Sequence, residues 1–408
     1  MVYKLRDYQV EASDAAVRFF SVRSKNHAIE VLPTGSGKSL IIADIAHRLE
    51  GETIVLQPNR EILEQNYRKM CSYGVEDCAI FSASFNKKDI GRITFATIGS
   101  VANQMDRFSH FRNVIIDECH WVNPKGGQYI DFIKAADRKV LGLTATPYRL
   151  ASTSQPVKDE RGRVQTDLFG EPVMERGAIL RFLTRTNPKV FKDVIYLCQV
   201  GDLLRRGYLA RLNYYDVTPK CFLQKDIKRN TTGMDFDYDS VEANFKQVNM
   251  YSYLVSIVRR LQNAGRRSIL VFSHGVSEAY ALKSAIVNCE CVTGTTPGAE
   301  RASILRRFKD GELQVVVNVG VLTTGFDYPE LETIVLGRPT MSLALYYQMV
   351  GRAIRPCEGK NAWIVDLCGN YDRFGRVENL RVEQPSAGMW CVNGFVNGHW
   401  KQLTNVFF

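Results

Sequence analysis

The tightest constraint on this chain is the run PTGSGKS at 33–39, set between an apolar stretch and an amphipathic one. Gly35 and Gly37 let backbone N–H groups turn inward around an anion, and a helix that begins there adds its positive end. Lys38 is placed to reach the β- and γ-phosphates of a nucleotide, and the Ser39 hydroxyl to ligate Mg2+. Pro33, Thr34 and Ser36 make up the rest of the loop. The strict pattern has Gly five places before Gly37, where this chain has Leu32. A phosphate loop works only with a strand before it and a helix after it, so it implies an α/β sheet.

The flanking pattern agrees. Apolar runs at 27–32, 53–57, 93–96, 114–116 and 140–143 read as strands, with helices over 39–50 and 60–73 stopped by Gly51 and Gly74. The alternation fails over 151–176, which reads as a long loop or insertion, and again over 220–249. It resumes with strands at 268–272, 291–292, 314–319, 333–336 and 362–367 and helices at 277–287, 299–309 and 342–354. The expected fold is α/β. Two units each hold a mainly parallel sheet with helices on both faces, with insertions and a C-terminal tail added. The units are expected at 1–200 and 266–370, with an irregular linker at 201–265. From 371 to 408 a tail or truncated accessory module follows, marked by Trp390, Phe395, Trp400, Phe407 and Phe408.

Composition sets outer bounds. With 45% hydrophobic and 24% charged residues among 408, a disordered or collagen-like chain is excluded. The ten cysteines contain no C-x-x-C pair, which gives no zinc site and no disulfide framework. No apolar run is long enough to cross a membrane, and the first residues have no leader-type apolar core. A cytoplasmic location is expected. The net charge is +10, with 28 basic against 23 acidic residues in 1–200 and 25 against 20 in 201–408. An excess shared by both halves suits a polyanion held by both.

Three further clusters carry chemistry. The strand at 114–116 runs into Asp117, Glu118, Cys119 and His120. Acids at the carboxyl end of a buried strand stand where open α/β sheets build their sites. Asp117 suits Mg2+, and Glu118 suits taking a proton from the water that attacks the γ-phosphate. Thr144 and Thr146 end the next apolar run, with hydroxyls able to link to His120. In the second unit, Gln348, Arg352 and Arg355 lie on one helical segment, and a guanidinium reaching a neighbouring domain's γ-phosphate would act as an arginine finger. Thr323, Thr324, Gly325 and Asp327 follow a strand, placed to sense both a ribose and a bound strand.

Ten motifs stand in one order: LRDYQVEA, PTGSGKS, LQPNREILEQN, FATIGSV, DECH, LTATPYR, VFSHGV, VTGTTPGAER, VLTTGFDYP and QMVGRAIRP. Together they resemble a superfamily 2 helicase core of the DEAD/DEAH-like type over about residues 3 to 370. GDLLRRGYLA, TPGAER and VLTTGFDYP are closest to bacterial RadD-type DNA repair helicases, with phage helicases of branched-DNA recombination as near relatives. The resemblance implies two RecA-like domains with ATP and Mg2+ between them. It implies adenine recognition by Arg6 and Gln9, and completion of the site by Gly325, Asp327, Gln348, Arg352 and Arg355. It implies sequence-independent backbone contacts by Pro58, Asn59, Arg60, Thr97, Ser100, Ser273, His274, Thr293, Gly294, Thr323 and Thr324.

RadD-type chains continue into a cysteine-rich zinc region, whereas only Cys391 and His399 stand near the end here. The expected activity is ATP-driven unwinding or remodelling of single-stranded or branched DNA in repair, recombination or replication. A monomer in a bacterial or phage-infected cell is expected. The alternatives are an RNA helicase, or the motor subunit of a restriction or defence complex.

Overall fold

A computed structural model describes residues 4–406 except 76, 137, 158 and 160, so Phe407 and Phe408 lie outside the described residues. The strands of the first unit are β1 (His27–Val31), β2 (Thr53–Gln57), β3 (Cys78–Ser82), β4 (Lys87–Lys88), β5 (Ile93–Thr97), β6 (Asn113–Asp117), β7 (Val140–Thr144), β8 (Tyr148–Pro156), β9 (Met174–Phe182) and β10 (Phe191–Leu197). Eight of them form one sheet in the order β10-β1-β7-β6-β2-β5-β3-β4, parallel throughout except at β3–β4. Every residue of β2, β6 and β7 is buried, which is why these strands read as unbroken apolar runs: helices cover both faces. Glu30 in β1 is the exception in kind. It is fully buried, neither carboxyl oxygen has a hydrogen-bond partner, and burial pushes its pKa well up.

The helices of this unit are α1 (Asp7–Ser21), α2 (Lys38–Arg48), α3 (Arg60–Ser72), α4 (Ile98–Val101), α5 (Gln128–Ala136) and α6 (Val200–Arg205). The sequence reading omitted α1, although Tyr8, Ala12, Ala15 and Ala16 recur at helical spacing and are buried. Asn59 caps α3 by accepting a hydrogen bond from Ile62 N at 3.0 Å.

The second sheet is parallel, in the order β11-β16-β15-β12-β14-β13, with β11 (Leu212–Asp216), β12 (Ile269–Ser273), β13 (Cys289–Val292), β14 (Val315–Asn318), β15 (Thr333–Gly337) and β16 (Ala362–Asp366). Its helices are α7 (Tyr238–Gln247), α8 (Met250–Asn263), α9 (Val276–Ala285), α10 (Gly298–Lys309), α11 (Leu343–Val350) and α12 (Asn370–Phe374). Residues 212–265 are therefore part of this unit and not a linker. β11 adds an edge strand, and Val241, Phe245, Leu254 and Val258 share a buried cluster with β12.

Two other expectations are corrected, and the tail gains detail. Residues 151–176 are not a loop: β8 and β9 pair over nine positions, from Tyr148–Phe182 to Pro156–Met174, as an arm outside the sheet. The helix expected over 342–354 ends at Val350. The tail holds a small antiparallel sheet, β17 (Arg381–Glu383), β18 (Cys391–Val396) and β19 (His399–Gln402). It docks on the first unit, where Gln199 exchanges two hydrogen bonds with Val382 and Trp390 stacks on Phe182. Among the described residues no helix is long and apolar enough to cross a membrane.

Candidate ATP cleft and nucleic-acid face

The carboxyl ends of β1, β6 and β7 converge on a cavity of about 400 Å³ between the two units. Gly35 and Gly37 take φ of +84° and +80°. A Cβ on Gly37 would stand 2.6 Å from Gln9 Nε2, so the loop's path requires glycine twice over. Ser36 Oγ is buried without a partner, while Lys38 and Ser39 line the cavity. Lys38 Nζ pairs with Glu118 Oε1 at 3.0 Å. Glu118 itself holds a left-handed backbone, φ +51° and ψ +49°, a conformation that costs a non-glycine residue energy and recurs at functional sites.

The two acids are held differently. Asp117 accepts from Asn66 Nδ2 at 2.7 Å and from Glu118 N at 2.9 Å, yet its pKa is pushed up to about 6, first by burial and then by the Glu118 charge. Burial also pushes Glu118 up, but the Lys38 charge outweighs it, leaving this carboxyl below its usual range. The buried Asp117 carboxyl, the partly buried Glu118 carboxyl and the Ser39 hydroxyl line one cavity as an all-oxygen donor set, which fits Mg2+ with phosphate and water completing the shell. Among the described residues no group of three or more His, Cys, Asp or Glu side chains is placed to hold a metal ion.

From the second unit come Thr324, Gly325, Asp327, Gln348, Arg352 and Arg355. The last two lie beyond the end of α11, in the turns after it, and not on its face. Arg352 is 8% exposed and donates from Nη1 to Phe326 O at 2.9 Å. Burial brings its pKa down to about 10, with Glu118 opposing, so it remains charged at neutral pH. Arg355 is paired with Asp327.

His120 joins the units. Its Nδ1 lies 2.9 Å from Thr144 Oγ1 and 3.1 Å from Thr146 Oγ1, and Gln348 Nε2 donates to its Nε2 at 3.0 Å. Burial lowers its pKa to about 4, so the ring is neutral and its two nitrogens play different roles. The units also meet where Tyr347 OH accepts from Thr34 N at 3.3 Å.

Arg6 and Gln9 do not line this cavity. Gln9 is 5% exposed and its amide is occupied, donating to Ser36 O at 2.8 Å and accepting from Arg6 N at 2.9 Å, so it shapes the phosphate loop. The Arg6 guanidinium lies 4.2 Å from the centroid of the Tyr208 ring. Tyr208 was missing from the sequence reading, although it sits within GDLLRRGYLA.

The nucleic-acid set divides. Pro58, Asn59, Arg60, Thr97 and Ser100 do come together, lining one groove with Ser84 and Lys88. A hydroxyl chain runs along it: Ser84 to Ser82 at 2.9 Å, Ser82 to Thr97 at 3.0 Å and Thr97 to Ser100 at 2.9 Å. Ser84 and Lys88 were missed, because single polar residues in a short irregular stretch carry no periodic signal. In the second unit Ser273 and Thr293 are fully buried and serve their own loops, Ser273 bonding Glu278 and Thr293 bonding Thr295 at 2.9 Å. Their side chains do not face solvent. His274 is half-buried and stacks on Tyr238 at 4.5 Å, while Gly294 is exposed. Thr323 is half-buried, and Thr324 accepts from Asn59 Nδ2 at 3.5 Å across the cleft.

A phosphate loop, an acidic pair and arginines delivered from a second parallel sheet define a two-domain P-loop ATPase. Residues 2–149 match the family profile of the type III restriction enzyme res subunit, and 249–357 that of the helicase conserved C-terminal domain. With the ordered motifs, these place the chain among the superfamily 2 helicases of the DEAD/DEAH-like type.

The chain is 25% identical over 402 residues to IRC3 of Saccharomyces cerevisiae, named as an ATP-dependent helicase, covering 90% of this chain and 51% of that one. It is 24% identical over 376 residues to the DNA 3'-5' translocase XPB2 of Sulfurisphaera tokodaii, covering 89% and 81%. It thus spans only about half of the first relative. A solved fragment assigned as the HsdR subunit of a type I restriction enzyme from Vibrio vulnificus shares the fold, with a TM-score of 0.63, 19% identity and coverage of 91% and 66%.

Proposed function

We propose that this chain is an ATP-dependent DNA helicase or translocase that remodels branched DNA during repair, recombination or replication. The observation that carries this reading is the meeting of Lys38, Asp117 and Glu118 from one sheet with Gln348, Arg352 and Arg355 from the other, in one cavity. Residues supplied by both units make turnover dependent on how the units stand to one another.

In this reading Lys38 and the backbone of 34–38 bind the β- and γ-phosphates, and Ser39 and Asp117 hold Mg2+. When bound, that ion neutralises charge on the phosphate oxygens. Glu118 orients water and takes its proton, while Arg352 and Arg355 stabilise charge as it develops. His120 touches Glu118, Thr144, Thr146 and Gln348, so it carries the state of the cleft to the grip on DNA. The groove at Arg60, Thr97 and Ser100 binds the sugar–phosphate backbone, with Gly294, His274 and Thr323 as second-unit contacts. The sequence likeness to a DNA 3'-5' translocase supports DNA over RNA.

The test is ATP turnover with no nucleic acid, single-stranded DNA, duplex DNA, forked DNA and RNA, followed by unwinding of the best stimulators. Forked or single-stranded DNA is expected to raise turnover by about tenfold, a usual size for coupling between sites, and forks to be unwound. Equal or greater stimulation by RNA would move the substrate to RNA. No stimulation by any of them would remove the motor reading.

A further inference from the structure

The β8–β9 arm seats the tail at its base, where Phe182 stacks on Trp390, but its outer half has no part in the cleft or groove. It leaves the first unit directly after Thr146 and Pro147, the residues beside His120, and Arg149 at its base donates from Nη1 to Val122 O at 2.5 Å. Nine paired residues make a ladder of about 30 Å. The chain pairs on beyond it, Val157 N to Val173 O at 2.8 Å and Gln165 N to Val157 O at 2.8 Å, and ends in a turn at 167–170. The middle of the arm rests on the second unit: a Cβ on Gly233 would lie 3.2 Å from the Gly177 backbone, and Arg176 donates to Thr231 O at 3.5 Å. The arm therefore touches both bodies whose relative position the cleft sets.

The tip is apolar and its turn is internally hydrogen-bonded. Leu168 and Phe169 are 101% and 91% exposed, the two most exposed large hydrophobic residues among those described. The Asp167 carboxylate accepts from Phe169 N at 2.8 Å and Glu171 N at 3.0 Å, and Gly170 takes φ +83°, so the turn holds its shape without help from neighbours. Exposing these side chains to water has no folding advantage.

We infer that Leu168 and Phe169 form a wedge that inserts at the single-strand/duplex junction of bound DNA and separates its terminal base pair. This rests on the DNA reading above. Apolar side chains thrust between base steps unstack them, and two adjacent ones at a narrow turn match the size of one step. A stable protein interface needs about 800 Å² from each partner, which two side chains on a thin tip do not provide. The root of the arm beside Thr146 and its rest on Gly233 let the wedge advance as the units move.

The test compares the full chain with the double variant Leu168→Ser, Phe169→Ser, and with Phe169→Trp. Fork unwinding is measured beside ATP turnover on single-stranded DNA, and 2-aminopurine at the junction reports unstacking. Both side chains stand fully in solvent and carry none of the core, so the serine variant keeps its fold, and its single-strand turnover checks this directly. The serine variant is expected to keep turnover within about twofold, to lose tenfold or more in unwinding, and to leave 2-aminopurine dark; Phe169→Trp retains unwinding. Unwinding equal to wild type in the serine variant overturns the wedge, and so does turnover falling in step with unwinding. A wild-type chain that unwinds no fork removes the DNA helicase reading itself, a result distinct from either.

Discussion

Glu118→Gln is expected to bind ATP about as tightly as the wild type and to hydrolyse it roughly a thousandfold more slowly, about 4 kcal/mol of barrier. The side chain keeps its length, so the loop geometry survives, but the amide cannot take a proton from water. Glu118 is suited to that role because the Lys38 ammonium at 3.0 Å holds its carboxyl below the usual range despite burial. The strained backbone of Glu118 directs the group into the cleft at a cost that packing of the fold must offset. Binding of a fluorescent ATP analogue and single-turnover hydrolysis separate the two effects. A rate within tenfold of wild type would show that another group activates the water.

Arg352→Ala is expected to lower kcat by about three orders of magnitude, the lower end of the range for arginine fingers, while changing ATP affinity far less. Its guanidinium is buried, still charged and within the field of Glu118, so it contributes most when negative charge builds on the transferring phosphate. Arg352→Lys should recover little, because one ammonium cannot hold Phe326 O and reach the cleft as a planar fork does. Steady-state kinetics on both variants decides. A raised KM with an unchanged kcat would make Arg352 a binding group only.

The parts of this molecule that were legible in the sequence are those whose chemistry is local. The phosphate loop, Asp117 and Glu118 each lie at the end of a strand buried on both faces, and such strands announce themselves as apolar runs. The β8–β9 arm did not, because only its base is buried: Tyr148, Ala178, Leu180 and Phe182 reach the core, while the outer half faces solvent and the stretch between the strands is polar, so the alternation is too short to read. The small sheet at 381–402 is built of short strands in an aromatic-bearing tail, below the length at which alternation is readable. Helical spacing put Arg352 and Arg355 on α11, but the helix ends at Val350, and the following turns fold both toward the cleft. The bond between His120 and Gln348 joins residues 228 apart in sequence, a pairing that no local pattern encodes. The failure at Ser273 and Thr293 has a simpler cause: a hydroxyl at a strand end can bond its own loop as readily as a phosphate.

The central claim is that one cleft couples nucleotide state to grip on DNA, and coupling of this kind is reciprocal. It is tested most directly by the affinity of Glu118→Gln for single-stranded DNA with ATP and with ADP, together with its affinities for ATP and for ADP with and without DNA. The two nucleotides are expected to give DNA affinities differing by about five- to tenfold or more, and DNA is expected to change the preference for ATP over ADP by the same factor. Equal DNA affinity in the two nucleotide states would contradict the account.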